Sequence, residues 1–479
     1  MEYKTFYTID AGLCVGPHPA HSGTAPDVVL IDILREYRVS TIIDLTSPAD
    51  GLVQPLSVLT ATLPGLTIHS FPIPDMGVPS YPLMHAVLDA IDAARAAHHV
   101  VYLHCKAGIG RSGLTVACWL IRHGAQPVDA IAQLATHRGK LHAVSPAPES
   151  AIQREFVHAW AEPSQSVATD IRTFRDRFRG TLLGLVVGDC LGVPFAFAKH
   201  EDTFVTSMQG AGPSGLGVGE WTDRTSMALY VADSIVSCGG FDAHDQIQGY
   251  LRWQNEGHWP RSSTCFDSVK TVSQAPIQEQ SAGMGFLRRT DPMTAGHGSL
   301  LRLAPILMAF GYDAAQCADY AAQSARTTHG AATTVDACQL YARYLAAALQ
   351  GVPKDAVLQV PGLAFTTPEI QAVASGSFLT KQPPTTVGSD FEGTALEAAL
   401  WAFASSDTYA TATRAAVNLG HDAHTTGAIC GMLAGAYYGE SGIPAEWLDV
   451  VVRRREIEWL AEELLRVSWP HWKRTFGAV

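Results

Sequence analysis

Residues 104–113, with the sequence His-Cys-Lys-Ala-Gly-Ile-Gly-Arg-Ser-Gly, restrict the fold of this chain more than any other stretch. The apolar residues 100–103 directly before them predict a buried strand, and residues 114–121 after them have the spacing of a helix. The ten residues are therefore expected to form a glycine-containing turn between a strand and a helix N-terminus. Backbone N–H groups in such a turn point into one concavity, and the helix dipole adds partial positive charge, so the stretch predicts a phosphate-binding loop.

The side chains of this loop favour chemistry on a phosphate ester. Cys105 lies at its rim, where the same amides and dipole would stabilise the nucleophilic thiolate. Arg111 carries a planar fork suited to two phosphoryl oxygens, and Ser112 can donate a hydrogen bond to the sulfur and help it leave. The residues expected to bind phosphate through the loop are Lys106, Ala107, Gly108, Ile109, Gly110 and Arg111.

Cleavage of a phosphate ester also needs an acid for the leaving oxygen. Asp75 is the candidate, because it lies 30 residues before Cys105 in a proline- and glycine-rich segment, 72–79, that follows a predicted strand. Asp44 is the competing carboxylate, but its place inside a predicted strand favours a structural role. His104 is expected to orient the loop, since a thiolate that is already formed needs no general base.

Lys106 leaves two interpretations open. A further cation in the loop favours a substrate with additional phosphate, such as a nucleotide or an inositol phosphate. The other interpretation is a lysine that is simply solvated on the surface and has no part in binding. The sequence supports the two equally.

Strands and helices alternate through the first third of the chain. This order predicts an α/β sandwich on a largely parallel sheet, with the loop at the carboxyl end of a central strand, where such folds bind ligands. The predicted strands are 6–9, 12–16, 41–45, 67–74 and 100–103, and the predicted helices are 28–37, 83–97 and 114–121.

These features resemble the cysteine-dependent protein tyrosine phosphatases, in the dual-specificity branch, over about residues 1–160. The resemblance implies an α/β cysteine-phosphatase sandwich. It also implies hydrolysis of a phosphate monoester, on a phosphoprotein or a nucleotide-type substrate, through a phosphocysteine intermediate and without a metal cofactor. It supports Asp75 as the acid, because these phosphatases typically carry a mobile aspartate at about this distance before the cysteine.

The length and composition of the chain restrict its number of domains, its compartment and its partners. Its 479 residues are too many for one ordinary core, so a second domain is expected. No apolar run reaches about 18 residues and the N-terminus shows no basic region followed by an apolar segment, so neither a membrane span nor a secretory signal is expected. Nine cysteines without paired spacing fit a reducing cytoplasm. A net charge of −12 argues against general nucleic-acid binding.

The character of the sequence changes after residue 162. Residues 163–173 start with a proline and small polar side chains, and they predict a linker between a first domain, 1–162, and a second, 174–479, with a new helix starting near Asp170. The second domain is predicted to be all-α, because its apolar residues repeat at helical spacing. Its predicted helices are 178–190, 226–237, 314–325, 331–349, 394–403, 410–419, 426–437 and 450–467.

Two of these helices carry glycines four residues apart, within 180–192 and 427–439. Glycines at that spacing lie on one helix face and let two backbones approach closely. We expect close helix packing to account for most of them.

Two polar stretches, 220–227 and 420–426, each place hydroxyls and a carboxylate at a helix start. Capping accounts for only one or two of these residues. Together with the Gly-Ser-Leu-Leu-Arg-Leu-Ala-Pro segment at 298–305 and the Thr-His pair at 328–329, they resemble the ADP-ribosylglycohydrolase family over about residues 174–470. That family includes the glycohydrolase that reactivates dinitrogenase reductase.

This second resemblance implies an all-α domain that cleaves the N- or O-glycosidic bond from ADP-ribose to a side chain. In the family, the chemistry uses two Mg²⁺ held by carboxylates and threonines. The metal-ligand positions that this chain retains are Thr222, Asp223, Asp422 and Thr425. The residues expected to contact ADP-ribose are Asp189, His297, Gly298 and Ser299.

The chain departs from the family at several of these positions. Arg224 and His424 stand where the family has aspartates, His297 replaces a frequent asparagine, and Pro194 is followed by apolar residues where an acid is common. Exchanging two carboxylates for a guanidinium and a neutral imidazole changes the site charge by about +3, where two Mg²⁺ would add +4. Full occupancy by two Mg²⁺ is therefore disfavoured, and magnesium is an open question for this domain.

Three interpretations of the altered site stay open. Arg224 stands where a metal ion stood, with one or both ions lost. Alternatively His424 recruits a softer metal, or the site binds a nucleotide without cleaving it. If cleavage survives without metal ions, Asp223 and Asp422 are the acid–base pair, while Arg224 could instead hold a pyrophosphate.

The sequence as a whole predicts a cytoplasmic hydrolase in which a cysteine phosphatase precedes an ADP-ribosylglycohydrolase-like domain with an altered magnesium site. The expected partners are phosphorylated or ADP-ribosylated substrates, with neither a membrane nor nucleic acid involved. In the alternative, the second domain is a non-catalytic module that binds ADP-ribose or a nucleotide.

Overall fold

The computed structural model of the chain divides into two compact units between Arg172 and Thr173. The α/β prediction for the first part of the chain and the helical prediction for the second are confirmed. The residues that the structure describes are 5–20, 27–52, 57–200, 203–256, 296–359, 364–381 and 392–476.

The first unit is built on one sheet. Its described strands are β1 Tyr7–Asp10, β2 Leu13–Gly16, β3 Val39–Asp44, β4 Thr67–Ser70 and β5 Val100–His104. They lie in the order β1-β2-β5-β3-β4. The β1–β2 pair is antiparallel and the other pairs are parallel, so the sheet is largely parallel, as predicted.

The carboxyl ends of the inner strands lie level with one another. Gly16 of β2 and Asp44 of β3 both pair with His104, the last residue of β5. Asp44 pairs in turn with Ser70 of β4. The segments that follow these strands are therefore gathered at one edge of the sheet, around the turn that leaves β5.

Helices cover both faces of this sheet. Alternate residues of β5 point to opposite faces, so Val101 and Leu103 pack in one apolar cluster and Tyr102 packs in another. Each buried side chain of this size contributes about 1.5–3 kcal/mol. The helices of the unit are α1 Val28–Glu36, α2 Ser57–Thr62, α3 Tyr81–Ala96, α4 Gly110–Arg122, α5 Pro127–Arg138, α6 Lys140–Val144 and α7 Ala151–Ala159.

The rest of the chain is dominated by helices, and seven of the eight predicted ranges match a helix within five residues at each end. They are α8 Gln165–Gly192, α9 Asp223–Cys238, α10 Ala243–Glu256, α11 Leu303–Phe310, α12 Ala314–Arg326, α13 Ala332–Leu349, α14 Lys354–Val357, α15 Pro368–Ala374, α16 Glu392–Ala404, α17 Tyr409–Val417, α18 Ala423–Tyr438, α19 Ala445–Leu448 and α20 Arg454–Trp472. A short 3₁₀ helix, His297–Arg302, precedes α11.

Helix α8 begins at Gln165, inside the segment for which composition predicts a linker. Ala168, Ile171 and Phe174 recur three residues apart and are all buried, as expected for the apolar face of a helix. The small polar residues that suggest a linker lie on the exposed side of its first two turns. The local composition predicts a loop here, whereas the spacing of the apolar residues predicts a helix. The helix forms because it buries those apolar residues.

Helices α8 and α18 pack with their backbones in contact. A Cβ on Gly184 would overlap the backbone carbonyl of Gly431, and Gly188 faces Gly427 in the same way. The glycines at four-residue spacing therefore permit a close approach that any larger residue would prevent. An 18-residue window of α8 is apolar enough to cross a membrane, but 89% of it is buried inside the protein, as in a core helix.

Candidate active sites

The turn that leaves β5 is held in shape by its neighbours. Gly108 has a φ of +74°, and a Cβ there would lie 2.5 Å from Gly16 O, so the position requires glycine. The Lys106 carbonyl accepts a hydrogen bond from His18 N at 3.0 Å. The Gly108 carbonyl accepts one from Arg138 Nη1 at 3.3 Å. These contacts fix the path of the turn between β5 and α4.

The predicted nucleophile, Cys105, is the first residue of this turn. Cys105 is 2% exposed, and α4 begins at Gly110, so the turn leads directly to the positive end of the helix dipole. Ser112 lies in the first turn of α4 and is fully buried. Its Oγ has no hydrogen-bond partner among the described residues, so no described group competes for this hydroxyl.

The predicted phosphate-binding arginine is buried and held by a carboxylate that the sequence pattern did not indicate. Arg111 Nη1 and Nη2 donate to Asp50 Oδ2 at 2.7 Å and Oδ1 at 2.8 Å, and Nη1 also donates to Ile73 O at 3.1 Å. Burial would lower the pKa of Arg111, but Asp50 and the Cys105 sulfur hold it above its ordinary value. Burial would raise the pKa of Asp50, but Arg111 and Ser47 N, which donates at 2.7 Å, hold it below its usual value.

A signal for Asp50 exists in the sequence. It lies in a Ser-Pro-Ala-Asp-Gly run, 47–51, soon after β3, and β3 ends at the same sheet edge as β5. The side chain of Lys106 reaches the same residue, because its Nζ donates a hydrogen bond to the backbone carbonyl of Asp50 at 3.4 Å. The charged side chains that follow β3 and β5 therefore meet at one edge of the sheet.

The structure also brings Asp75 to this arginine. Asp75 Oδ1 lies 3.0 Å from Arg111 Nη2, and the Asp75 side chain is 59% exposed. Its loop is anchored by Gln153 Nε2, which donates to Gly77 O at 3.0 Å. An exposed carboxylate on an anchored loop beside the phosphate-binding arginine is well placed to protonate a leaving oxygen.

The two other candidates of the first unit are shut off from solvent. Asp44 Oδ1 accepts hydrogen bonds from Thr46 N at 2.8 Å and from Thr46 Oγ1 at 2.6 Å. His104 Nδ1 lies 3.8 Å from Asp44 Oδ1 and 3.3 Å from Cys105 O. Both side chains are fully buried, which suits residues that support the loop rather than touch a substrate.

In the second unit, Asp189 of α8 binds the start of α9. Its carboxylate accepts hydrogen bonds from Thr222 N and Thr222 Oγ1, both at 2.9 Å, and from Thr225 Oγ1 at 2.8 Å. Burial raises the pKa of Asp189 to about 6, although these donors act to lower it. The oxygens of Asp189 are thus engaged by threonines of the next helix.

Arg224 lies between the starts of α9 and α18, which carry the remaining metal-ligand positions of the family. Its Nη1 donates to Asp223 Oδ1, and its Nε donates to Thr425 Oγ1 at 3.2 Å. Its Nη2 lies 3.7 Å from Asp422 Oδ1. Burial would lower the pKa of Arg224, but Asp223 and Asp422 raise it. One guanidinium therefore joins two helix starts.

Two imidazoles lie close to the same aspartate. His424 Nδ1 is 3.1 Å from Asp422 Oδ1, and His297 Nε2 is 3.9 Å from Asp422 Oδ2. Burial and the Arg224 cation lower the pKa of His424 to about 4, so its ring is neutral at neutral pH. Burial would raise the pKa of Asp422, but its contacts with His424, Arg224 and His297 together hold it below its usual value.

The remaining predicted contacts to ADP-ribose differ in their exposure. Ser299 is buried, and its Oγ accepts from Cys338 Sγ at 3.3 Å. Gly298 beside it is partly exposed. An aromatic that was not predicted for this site lies at its rim, since Phe197 is 74% exposed and its ring centre is 6.1 Å from that of His424.

The residues of this cluster do not fit the two Mg²⁺ that the family implies. Mg²⁺ needs several oxygen ligands in near-octahedral geometry. Here the Asp223 and Asp422 carboxylates face the Arg224 guanidinium, and Thr425 Oγ1 accepts a hydrogen bond from it. Within the part of the chain that the structure describes, no group of three or more His, Cys, Asp and Glu side chains is arranged to hold a metal ion.

Known family models match parts of both units. The family model of the ADP-ribosylglycohydrolases matches residues 170–473. A second model, described as a polymorphic toxin system, DSP-PTPase phosphatase, matches residues 20–125.

Relatives and one solved structure agree with the first of these matches. ADP-ribosylarginine hydrolase Tri1 of Pseudomonas putida is 37% identical over 60% of this chain and 78% of its own length. ADP-ribosyl-[dinitrogen reductase] glycohydrolase of Rhodospirillum rubrum is 26% identical over 61% of this chain and 97% of its own. A solved ADP-ribosylglycohydrolase-related protein complex is 37% identical, with a TM-score of 0.54, over 62% of this chain and 99% of that one. The chain belongs to the ADP-ribosylglycohydrolase family, and a phosphatase domain of the DSP-PTPase type precedes its glycohydrolase domain.

Proposed function

We propose that the first unit hydrolyses phosphate monoesters through a phosphocysteine intermediate. The observation that carries this proposal is the setting of the Arg111 guanidinium. Arg111 lies in the first turn of α4, directly after the turn that begins with Cys105. Its guanidinium is held by Asp50 and lies 3.0 Å from Asp75. A nucleophile, a phosphate ligand and an acid are therefore available at one edge of the sheet.

In the first step, the Cys105 sulfur attacks phosphorus while Arg111 and the amides of the turn bind the phosphoryl oxygens. The S–P bond forms as the bond to the leaving oxygen breaks, and Asp75 gives that oxygen its proton. In the second step, the Asp75 carboxylate takes a proton from water, which attacks phosphorus and releases inorganic phosphate. The Ser112 hydroxyl donates a hydrogen bond to the departing Cys105 sulfur.

The contact between Asp75 and Arg111 suits this order of events. A phosphoryl group carries more negative charge than a carboxylate and forms bidentate bonds with a guanidinium. Its binding would displace Asp75 from Arg111 Nη2. Because the Asp75 side chain is exposed on one side, it can then turn to the leaving oxygen.

Acid-quench kinetics with p-nitrophenyl phosphate, followed by mass spectrometry, test the nucleophile. We expect a phosphate adduct on the Cys105 peptide of the wild type, and neither adduct nor turnover in Cys105→Ser. Cys238→Ser is the matched control, because Cys238 is an exposed free thiol outside this unit, and it should keep both. Turnover retained by Cys105→Ser would contradict the proposal.

For the second unit, we propose hydrolysis of the bond between ADP-ribose and an arginine side chain. The 37% identity to an ADP-ribosylarginine hydrolase supports the substrate. The buried carboxylates of Asp223 and Asp422, both in contact with Arg224, support the chemistry, because two carboxyl groups can act as acid and base across a glycosidic bond. The named relatives are hydrolases, which favours catalysis over a purely binding role.

Release of ADP-ribose from an arginine-ADP-ribosylated protein tests this second activity. We expect release by the wild type, an undiminished rate in Cys105→Ser, and a fall of about 100-fold or more in Asp422→Asn, which keeps the size of the side chain. A wild type that binds ADP-ribose but releases none would favour the binding module instead.

A further inference from the structure

The charged cluster at the starts of α9 and α18 contains its own cation. Its described carboxylates are Asp189, Asp223 and Asp422. Asp189 is already satisfied by hydrogen bonds from the threonines of α9. The negative charge that still needs a counter-ion is therefore that of Asp223 and Asp422, and both contact the guanidinium of Arg224.

The contacts of Arg224 fall on positions that hold metal ions in the family. Nη1 donates to Asp223, Nη2 faces Asp422 at 3.7 Å, and Nε donates to Thr425 at 3.2 Å. Oxygen atoms that would surround a metal ion thus surround a guanidinium. Arginine is not deprotonated in proteins, so this positive charge is permanent.

A divalent ion added to this cluster would lie in an unfavourable place. It would need the Asp223 and Asp422 oxygens that already face Arg224, and it would sit beside that cation in a largely buried site, where like charges repel strongly. His424 supplies an imidazole, 3.1 Å from Asp422, where the family has a carboxylate. The cluster therefore lacks both the free oxygen ligands and the negative charge that two Mg²⁺ require.

We propose that Arg224 is a built-in cation that takes the place of the divalent ions, so that this site binds an ADP-ribosyl group without them. Arg224 acts as a positioning residue, because it holds the Asp223 and Asp422 carboxylates at a fixed separation. The proposal rests on the assignment of the second unit to ADP-ribosyl substrates.

Titration calorimetry of the full chain with Mn²⁺ alone, and then with Zn²⁺ alone, tests whether Arg224 takes the place of the divalent ions. We expect no saturable binding to the wild type. The double variant with Arg224→Asp and His424→Asp, which restores the family's carboxylates, is expected to bind at least one Mn²⁺. Saturable binding to the wild type that Asp422→Asn abolishes would overturn the proposal.

Arg224→Gln is a milder variant for the case that the double variant does not fold. It removes only the positive charge, and we expect it to raise the affinity for Mn²⁺ at least tenfold over the wild type. Arg252→Gln is the matched control, because Arg252 is an exposed arginine paired with Asp233 at 3.6 Å, and it should bind no more Mn²⁺ than the wild type. A folded Arg224→Gln protein without any gain would overturn the proposal.

Titration of the wild type with ADP-ribose, in Mg²⁺ and then in chelator, tests whether the site binds an ADP-ribosyl group without divalent ions. We expect dissociation constants within about twofold of each other in the two buffers. Loss of binding in chelator would overturn the role of Arg224. Absence of binding in both buffers would instead contradict the proposed function of the second unit, while the ion titrations still decide what Arg224 does.

Discussion

Asp50 accepts hydrogen bonds from both terminal nitrogens of Arg111, at 2.7 Å and 2.8 Å. Both side chains are closed to solvent, so the plane of the guanidinium is set before a phosphoryl group reaches it. The pair joins the turn after β5 to the segment after β3. Asp50 thus fixes the orientation of Arg111.

Asp50→Asn should weaken phosphate recognition more than it slows chemistry. The amide keeps the shape of the side chain but loses a charge-assisted pair worth about 1.5–3 kcal/mol, so KM for an aryl phosphate and the inhibition constant of inorganic phosphate should both rise about 10- to 100-fold. Steady-state kinetics measures both. Asp32→Asn removes the exposed pair with Arg35 and is the matched control. A fall in kcat with unchanged KM would refute this role for Asp50.

Asp75→Asn should show its effect through the leaving group. An acid matters most when the leaving oxygen is strongly basic. The ratio kcat/KM reports the steps up to release of the leaving group and not the later hydrolysis in which Asp75 is the base, so kcat/KM should fall about 100-fold or more on phenyl phosphate and much less on p-nitrophenyl phosphate. Comparing the two substrates with one enzyme preparation cancels errors in active concentration. An equal fall on both would mean that Asp75 does not supply the proton.

Gly184→Ala should destabilise the second unit. The new methyl group would overlap the carbonyl of Gly431 and lie 3.1 Å from Gly435 Cα, so α8 and α18 would have to separate at a cost of about 1–3 kcal/mol or more. Gly240→Ala is the matched control, since nothing lies within 4 Å of a Cβ there. Urea unfolding followed by circular dichroism measures the difference, and equal stabilities would show that the helices can move apart freely.

His85 should make the first unit sensitive to acid. Its Nδ1 lies 2.8 Å from Arg122 Nη2 and 3.8 Å from Glu162 Oε2, and burial lowers the pKa of His85 to about 4. An unfolded histidine titrates near pH 6.5. As the pH falls from about 6.5 to about 4, the unfolded chain therefore gains a proton that the folded chain does not, and stability falls by at most about 3 kcal/mol.

His85→Asn should flatten this dependence. The asparagine oxygen can accept the hydrogen bond from Arg122 but does not titrate. Hydrogen exchange of the amides of α3 between pH 4 and 7, corrected for intrinsic rates, gives the free energy of opening for this unit alone. A slope that is unchanged in His85→Asn would assign the acid sensitivity to other groups.

Local sequence determines much of both units. The strand, turn and helix around Cys105 follow from hydrophobic periodicity and from glycines at positions that need them, which act over a few residues. The four-residue spacing of glycines in α8 and α18 likewise predicts that these two helices pack closely. Composition misleads at Gln165, because small polar residues permit a loop but do not prevent a helix that buries its apolar side.

Tertiary structure alone decided which charges meet. Asp50 and Arg111 are 61 residues apart, and only the level ends of β3 and β5 bring them together. The sequence by itself determined that an arginine stands at position 224 where the family has a carboxylate. It could not show that Arg224 reaches Thr425, 201 residues away. That contact depends on how α9 and α18 pack, and packing is a property of the whole unit rather than of any short stretch.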